Sequence, residues 1–122
     1  MYYKDLEVWK EAMILVTDVY KLTEDFPQNE IFGLTSQIRR CVVSMPSNIA
    51  EGSVKSSDKD TLKFLDIARG SLAELDTQIL ISKNLDFIDE IEFIEKRISY
   101  VNVLLSGLIK YYKKQYFYSN LL

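Results

Sequence analysis

The chain has 122 residues, which leaves room for one domain, so we expect residues 1–122 to share a single core. A content of 48% hydrophobic and 27% charged residues, with few glycines and prolines, excludes a disordered chain and argues against an all-β fold. The sequence has no histidine, one cysteine and a formal net charge of -3. Histidine-based nucleophile systems, an intramolecular disulfide and the common metal sites are thereby excluded, and we expect a helical, non-enzymatic protein without cofactors.

The first five residues include charges where a signal peptide would need an apolar core. No apolar run approaches the roughly 18 residues that a membrane span needs. A soluble, cytoplasmic protein with no membrane partner is expected, and the single cysteine fits a reducing compartment.

The first predicted helix spans residues 5–25 and ends before Pro27. Two adjacent apolar stripes predict a wide buried face, formed by Leu6, Trp9, Met13, Val16 and Tyr20 and by Val8, Ala12, Leu15, Val19 and Leu22. The charged residues between them predict a solvated back, formed by Glu7, Lys10, Glu11, Asp18, Lys21 and Asp25.

The second predicted helix spans residues 34–52. Its apolar positions fall within about 80° of arc and are Leu34, Ile38, Val42, Met45 and Ile49. Pro46 lies inside this pattern and predicts either a kink or two short helices in series. Gly52 is the predicted residue just past the helix end.

The third and fourth predicted helices span residues 58–84 and 89–114. Ser57 and Asp89 are the predicted N-terminal caps, and the Gly70-Ser71 pair predicts that another helix comes close. The fourth helix has the longest apolar seam, formed by Ile91, Ile94, Ile98, Val101, Leu105, Leu108 and Tyr112. Four amphipathic helices with short connections predict an all-α, antiparallel up-down four-helix bundle.

Several segments resemble a known family. The longest are FGLTSQIRR at residues 32–40 and VSMPSNIAEG at residues 43–52, and further agreement lies in DLEVW, ARGSLAEL and GLIK, which begin at Asp5, Ala68 and Gly107. Over about residues 3–114 the chain resembles the four helix bundle protein family. That family includes proteins encoded by intervening sequences in bacterial 23S ribosomal RNA genes, and it is similar to the accessory variability protein of diversity-generating retroelements.

The resemblance implies a bundle that assembles into a ring-shaped homo-oligomer, pentameric in the characterised relatives. The retroelement relatives use a basic ring surface to bind nucleic acid and the reverse transcriptase. The implied partners are therefore a copy of the chain itself, RNA or DNA, and a reverse transcriptase or other protein.

Because the chain is net acidic, with a pI of about 5.0, nucleic-acid binding would need a local basic patch. Arg39 and Arg40 are the first candidates, since they lie inside the motif that carries the resemblance. Arg40 lies on the polar side of the helix, where it would contact a phosphate, form an intersubunit ion pair, or pair with Glu51 or another carboxylate within the bundle. Arg39 lies at the border of the apolar face, with its stem on the core and its head in solvent.

Three small polar residues around Pro46 are candidates for an oligomer interface, namely Ser44, Ser47 and Asn48. They would let a second subunit approach closely, or they would satisfy carbonyl groups that the proline leaves free within the chain.

The C-terminal run at residues 110–118 interleaves three lysines with five aromatic residues and no acid. We select Lys110, Lys113 and Lys114 as candidates for binding nucleic acid or a partner, and Tyr111, Tyr112 and Tyr116 as candidates for an oligomer interface. Such a segment would stack bases while its lysines hold phosphates, or it would seal a subunit contact while its lysines complement a helix C-terminus.

The predicted function is a ring-like, pentameric bundle that binds RNA or DNA through local basic patches. The alternative is a structural or protein-interaction module that binds no nucleic acid. The position of the arginines relative to the C-terminal lysines bears directly on this choice.

Overall fold

The computed structural model describes residues 2–121, so the first and last residues of the predicted domain lie outside it. We number its four helices along the chain as α1 (Glu7–Thr23), α2 (Leu34–Ser53), α3 (Asp58–Asn84) and α4 (Glu92–Leu121). Single 3-10 turns at Tyr3–Asp5 and Gln28–Glu30 precede α1 and α2. The described residues form no strand, and the predicted all-α class is confirmed.

Each of the four helices packs against two others. Contacts join α1 to α2, α2 to α3, α3 to α4 and α4 back to α1, whereas within residues 2–121 the two diagonal pairs make no contact. This is the arrangement of a four-helix bundle, and the neighbour order is the one that an up-down bundle produces.

One apolar stripe from each helix forms the core. The predicted stripes of α2 and α4 are all buried or half-buried. On α1 only the second stripe faces fully inward, because Met13 and Tyr20 of the first stripe are 43% and 40% exposed. The wide apolar face predicted for this helix is therefore only half buried.

Both ends of α1 lie two residues inside the predicted bounds. The helix begins two residues later than expected because Leu6 has extended backbone angles and separates it from the preceding 3-10 turn. It ends at Thr23 instead of residue 25.

Pro46 does not divide α2, which is assigned as one helix from Leu34 to Ser53. The expected pair of short helices is therefore wrong, and a kink within the single helix stays a prediction. Gly52 was also misplaced, because it lies inside the helix and is buried.

The start of α3 is as predicted, since the Ser57 hydroxyl accepts the Asp60 N–H at 3.2 Å. The ends of α4 differ from the predicted residues 89–114. Asp89 lies in the connection, and the Glu90 carboxylate accepts the Glu92 N–H instead at 3.5 Å. Since no glycine or proline follows Gly107, nothing stops the helix before Leu121.

The close helix approach expected at the Gly70-Ser71 pair occurs at Ser71 and not at Gly70. Gly70 is exposed, and an added Cβ would meet nothing within 4 Å. The next residue, Ser71, instead bonds the Ser44 hydroxyl of α2 at 3.0 Å. Among the glycines, Gly52 is the one that meets another helix, since an added Cβ would lie 3.0 Å from the Phe64 Cβ of α3.

Candidate nucleic-acid interface

The guanidinium of Arg39 makes its contacts within the bundle. Its Nε donates to the Thr23 hydroxyl at 2.9 Å, and one terminal nitrogen donates to the Tyr20 carbonyl oxygen at 3.4 Å. The guanidinium also lies over the Tyr20 ring, 4.6 Å from its centroid. Arg39 therefore satisfies the last turn of α1 and holds α2 against it.

Arg40 is exposed and lines an open groove of about 410 Å³ between α2 and α3, with Gln37, Glu74 and Ser71. Among the described residues it makes no ion pair within 4.0 Å, so the expected pairing with Glu51 is not formed.

Cys41 shares the floor of that groove, and its Sγ donates to the Ser71 carbonyl oxygen at 2.9 Å. Burial, and after it the nearby charge of Glu74, raises the pKa of the Cys41 thiol to about 11. A hydrogen bond from the Leu75 backbone has the opposite, smaller effect on this pKa. The thiol is therefore protonated at neutral pH and is not an activated nucleophile.

The three polar candidates around Pro46 make bonds inside the chain. The Ser47 hydroxyl donates to the Val43 carbonyl at 2.8 Å, and the Asn48 amide donates to the Ser44 carbonyl at 2.8 Å. Ser44 also contacts Ser71 of α3, as described above. These bonds lie within the chain, but neither acceptor is the Val42 carbonyl, which is the one that Pro46 leaves without its helical donor. The intersubunit role of these residues stays a prediction.

The C-terminal lysines lie on an exposed part of α4. The last buried residue of this helix is Ile109, and three further turns continue to Leu121. At about 100° per residue, Lys110, Lys113 and Lys114 fall within about 100° of arc, together with Phe117, which is 60% exposed. We call these four residues the lysine strip.

The lysine strip has no neutralising partner among the residues that the structure describes, since none of its three ammonium groups is within 4.0 Å of a described carboxylate. The last turn of α4 contains no basic residue. The lysines therefore lie too far from the helix end to complement its dipole, an effect confined to the last turn.

The three tyrosine candidates have different surroundings. The rings of Tyr111 and Tyr112 pack edge to face, with 5.2 Å between their centroids. Burial raises the pKa of Tyr112, and the nearby charges of Tyr111 and Asp58 raise it further. Tyr112 is half-buried and belongs to the core seam, whereas Tyr111 is 45% exposed. Tyr116 is 40% exposed and lines a cleft with residues 56–59, which places the end of α4 beside the α2–α3 connection.

The arginines and the lysine strip lie at opposite ends of the bundle. Arg39 contacts the end of α1, and the end of α1 shares a cleft with Glu90 and Phe93 at the start of α4. Lys110 lies 18 residues after the start of α4, or about 27 Å along its axis. The two sets of candidates therefore form no single basic patch on one subunit.

A family profile described as "23S rRNA-intervening sequence protein" matches residues 4–107, which include α1, α2, α3 and half of α4. The chain belongs to the 23S rRNA-intervening sequence protein family. A search of curated proteins found no match. Arg39 and Arg40 lie within the matched range, whereas the lysine strip lies beyond it.

For this family member, sequence reasoning missed one polar cluster, the pair formed by Asp76 of α3 and Glu95 of α4. The buried Asp76 Oδ1 and Glu95 Oε1 receive no hydrogen bond from any other described group. Burial, then the hydrogen bond and the charge of Asp76, raises the pKa of Glu95 to about 7. The Glu95 carboxyl is therefore partly protonated at neutral pH.

No local signal in the sequence marks this pair, because its members are far apart in the chain and each resembles an ordinary helix-surface acid. Within residues 2–121, no group of three or more carboxylate and cysteine side chains is placed to hold a metal ion. No described helix has the length and apolar content to cross a bilayer.

Proposed function

We propose that this family member is a non-enzymatic, homo-oligomeric bundle that binds single-stranded RNA through the lysine strip of α4. The observation that carries the proposal is the position of the three lysines. They project beyond the core, they lie outside the last helical turn, and no described carboxylate neutralises them.

The lysine strip has the chemistry that single-strand binding needs. Ammonium groups pair with phosphates, and an exposed aromatic ring such as Phe117 offers a face on which a base stacks. The family name refers to ribosomal RNA, which makes RNA the first nucleic acid to test.

One strip is too short for tight binding. From Lys110 to Phe117 the helix rises about 10 Å, which spans two or three nucleotides. Several strips presented by one oligomer would raise the affinity by multivalency. Oligomerisation and nucleic-acid binding are therefore linked in this proposal, and the resemblance to ring-forming relatives favours a pentamer.

A second apolar stripe on α4 supports self-association. Phe93, Tyr100 and Val103 are 61%, 43% and 66% exposed and lie on the side of α4 that faces away from the core. Gly107 continues this face, and an added Cβ there would meet nothing within 4 Å. We propose that this stripe packs against a second copy of the chain.

The binding proposal is tested by fluorescence anisotropy of a labelled single-stranded RNA over a range of salt concentrations. Affinity should fall steeply with salt, and Lys113→Ala should reduce the slope of log K against log salt by about 0.7. Lys96→Ala is the matched control, because Lys96 is 77% exposed, belongs to the opposite end of α4 and is paired with Glu92. No association at low salt would contradict the proposal and favour the protein-interaction alternative.

Self-association is tested by light scattering. The mass should be a multiple of 14.2 kDa, and five times that value for a pentamer. Val103→Asp should dissociate the assembly, whereas Val54→Asp, at a position that is 68% exposed just after α2, should not. A stable monomer for the unaltered chain would contradict this part of the proposal.

A further inference from the structure

One end of the bundle has a strongly acidic surface. Residues 24–33 connect α1 to α2, and residues 85–91 connect α3 to α4. We call these two connections the acidic end, because each contains three carboxylates and neither contains a basic residue; the carboxylates are Glu24, Asp25 and Glu30, and Asp86, Asp89 and Glu90.

Direct contacts bring the two connections together and hold them in place. The rings of Phe26 and Phe87 pack at 5.6 Å between centroids, and Phe26 is buried. The Phe87 N–H donates to the Ser82 carbonyl at 2.9 Å, and the Gly33 N–H donates to the Glu30 carbonyl at 2.9 Å. The surface is therefore preorganised, which lowers the entropy that a partner must overcome on binding.

Lys21 lines a cleft with Asp25 and Glu90, but it forms no ion pair with either of them. None of the six carboxylates of the acidic end is within 4.0 Å of a lysine or arginine nitrogen in the described part of the chain. The like charges repel one another, so any cationic ligand that lies among them gains attraction from several at once.

The acidic end also exposes large apolar side chains. Phe32 is 96% exposed, which is unusual for a phenylalanine, and Ile31 and Leu85 are 50% and 52% exposed. An aromatic face beside carboxylates suits a guanidinium or ammonium group, which stacks on the ring while it pairs with an acid.

From these observations we propose that the acidic end is a docking surface for an arginine- and lysine-rich segment of another protein, with Phe32 as the stacking platform. The carboxylates of the two connections repel phosphate, which favours a cationic ligand over nucleic acid at these residues. The proposal goes beyond RNA binding, because it concerns the opposite end of the bundle and does not require the lysine strip.

The experiment uses a labelled polyarginine peptide and measures its binding to the full chain by fluorescence anisotropy. A polyglutamate peptide of equal length should not bind. Phe32→Ala should raise the polyarginine Kd by about 2- to 5-fold, the change expected for one exposed cation–π contact. Because Phe32 is almost fully exposed, this variant should keep the thermal stability of the parent chain.

Matched variants separate this surface from a general attraction to an acidic protein. The triple change Asp86→Asn, Asp89→Asn and Glu90→Gln should weaken binding about 10-fold, whereas Glu51→Gln and Phe117→Ala, both away from the acidic end, should have no effect. Equal losses from Glu51→Gln, or no loss from Phe32→Ala, would overturn the proposal.

A second arm identifies the occupant. A peptide of residues 110–121 represents the basic, aromatic C-terminus of another copy of the chain. Weaker binding by this peptide than by polyarginine supports a different protein as the partner. Tighter binding, abolished by Phe32→Ala, would overturn that assignment in favour of head-to-tail contact between copies.

Discussion

At the scale of single residues, Arg97 makes the most connected polar contacts in the described chain. Its Nη1 lies 2.9 Å from the Glu11 carboxylate and its Nε lies 3.0 Å from that of Asp18, so one α4 side chain links two turns of α1. All three side chains are mostly buried, at 26%, 19% and 19% exposure. The guanidinium also lies over the Phe93 ring.

Arg97→Ala should lower the free energy of unfolding by about 2 kcal/mol, because it leaves two half-buried carboxylates without a partner. Urea denaturation measures the change. Arg69→Ala is the control, since its ion pair with Asp66 is exposed and should contribute less than about 0.5 kcal/mol. Equal losses of unfolding free energy in the two variants would show that burying the ion pairs of Arg97 adds nothing to stability.

The role of Arg97 could not be predicted from the sequence. Glu11 and Asp18 were assigned to the solvated back of α1 because local spacing gives their position on the helix but not the neighbour that covers it. Their partner is far away in the chain, at the start of α4. Cap residues such as Ser57 were predictable because cap and backbone donor lie three residues apart.

At the scale of helices, α2 approaches α3 closely at Gly52. A Cβ on this residue would lie 3.0 Å from the Phe64 Cβ and 3.2 Å from the Thr61 carbonyl oxygen, both on α3. The Thr61 hydroxyl also donates to the Gly52 carbonyl at 2.7 Å. The glycine here serves helix packing and not the helix termination that its sequence position suggested.

Gly52→Ala should therefore destabilise the protein by about 1–2 kcal/mol, since the two helices must separate to admit the methyl group. Gly70→Ala should stabilise it by up to about 1 kcal/mol, because that position is open and alanine favours the helix. Thermal unfolding of both variants measures these opposite shifts. A stabilised Gly52→Ala variant would mean that α2 and α3 are less closely packed than described.

The contact of α3 with α4 should depend on pH through Glu95. Its pKa of about 7 in the folded state exceeds its ordinary value of 4.5, so folding is favoured when the carboxyl is protonated. This contribution is complete below pH 4.5 and is lost as the pH rises to about 7. Asp76 and Arg69 are the charged groups that share the groove with Glu95.

Glu95→Gln should stabilise the protein relative to the parent chain, by an amount that grows between pH 4.5 and about 7 and is constant at higher pH. Urea denaturation across this range measures the difference. Glu92→Gln, on the exposed face of α4, should show no such trend. A pH-independent difference for Glu95→Gln would contradict the raised pKa of Glu95.

Helix boundaries were predictable only where local signals exist. Both ends of α3 match the predicted residues, and the Ser57 cap is the local signal that made its start predictable. The end of α4 was placed seven residues early, since the tail has no glycine or proline that would stop the helix. Because the helix continues to Leu121, the C-terminal lysines do not lie in its last turn and do not complement its dipole.

At the scale of the whole molecule, the net charge of -3 conceals a separation of charge. The acidic end and the lysine strip lie at opposite ends of the bundle, and Arg39 is occupied by contacts with α1. Composition predicted that any basic patch must be local. Its location could not be predicted, because it depends on which helix ends meet in three dimensions.

The most direct test of RNA binding at the lysine strip is photocrosslinking of a single-stranded RNA that contains 4-thiouridine, followed by mass spectrometry of the protein peptides. Crosslinks should fall on the aromatic residues of the segment 110–121, and Lys113→Ala with Lys114→Ala should reduce their yield. Crosslinks confined to residues 24–33 or 85–91, or an unchanged yield in the double variant, would contradict the account.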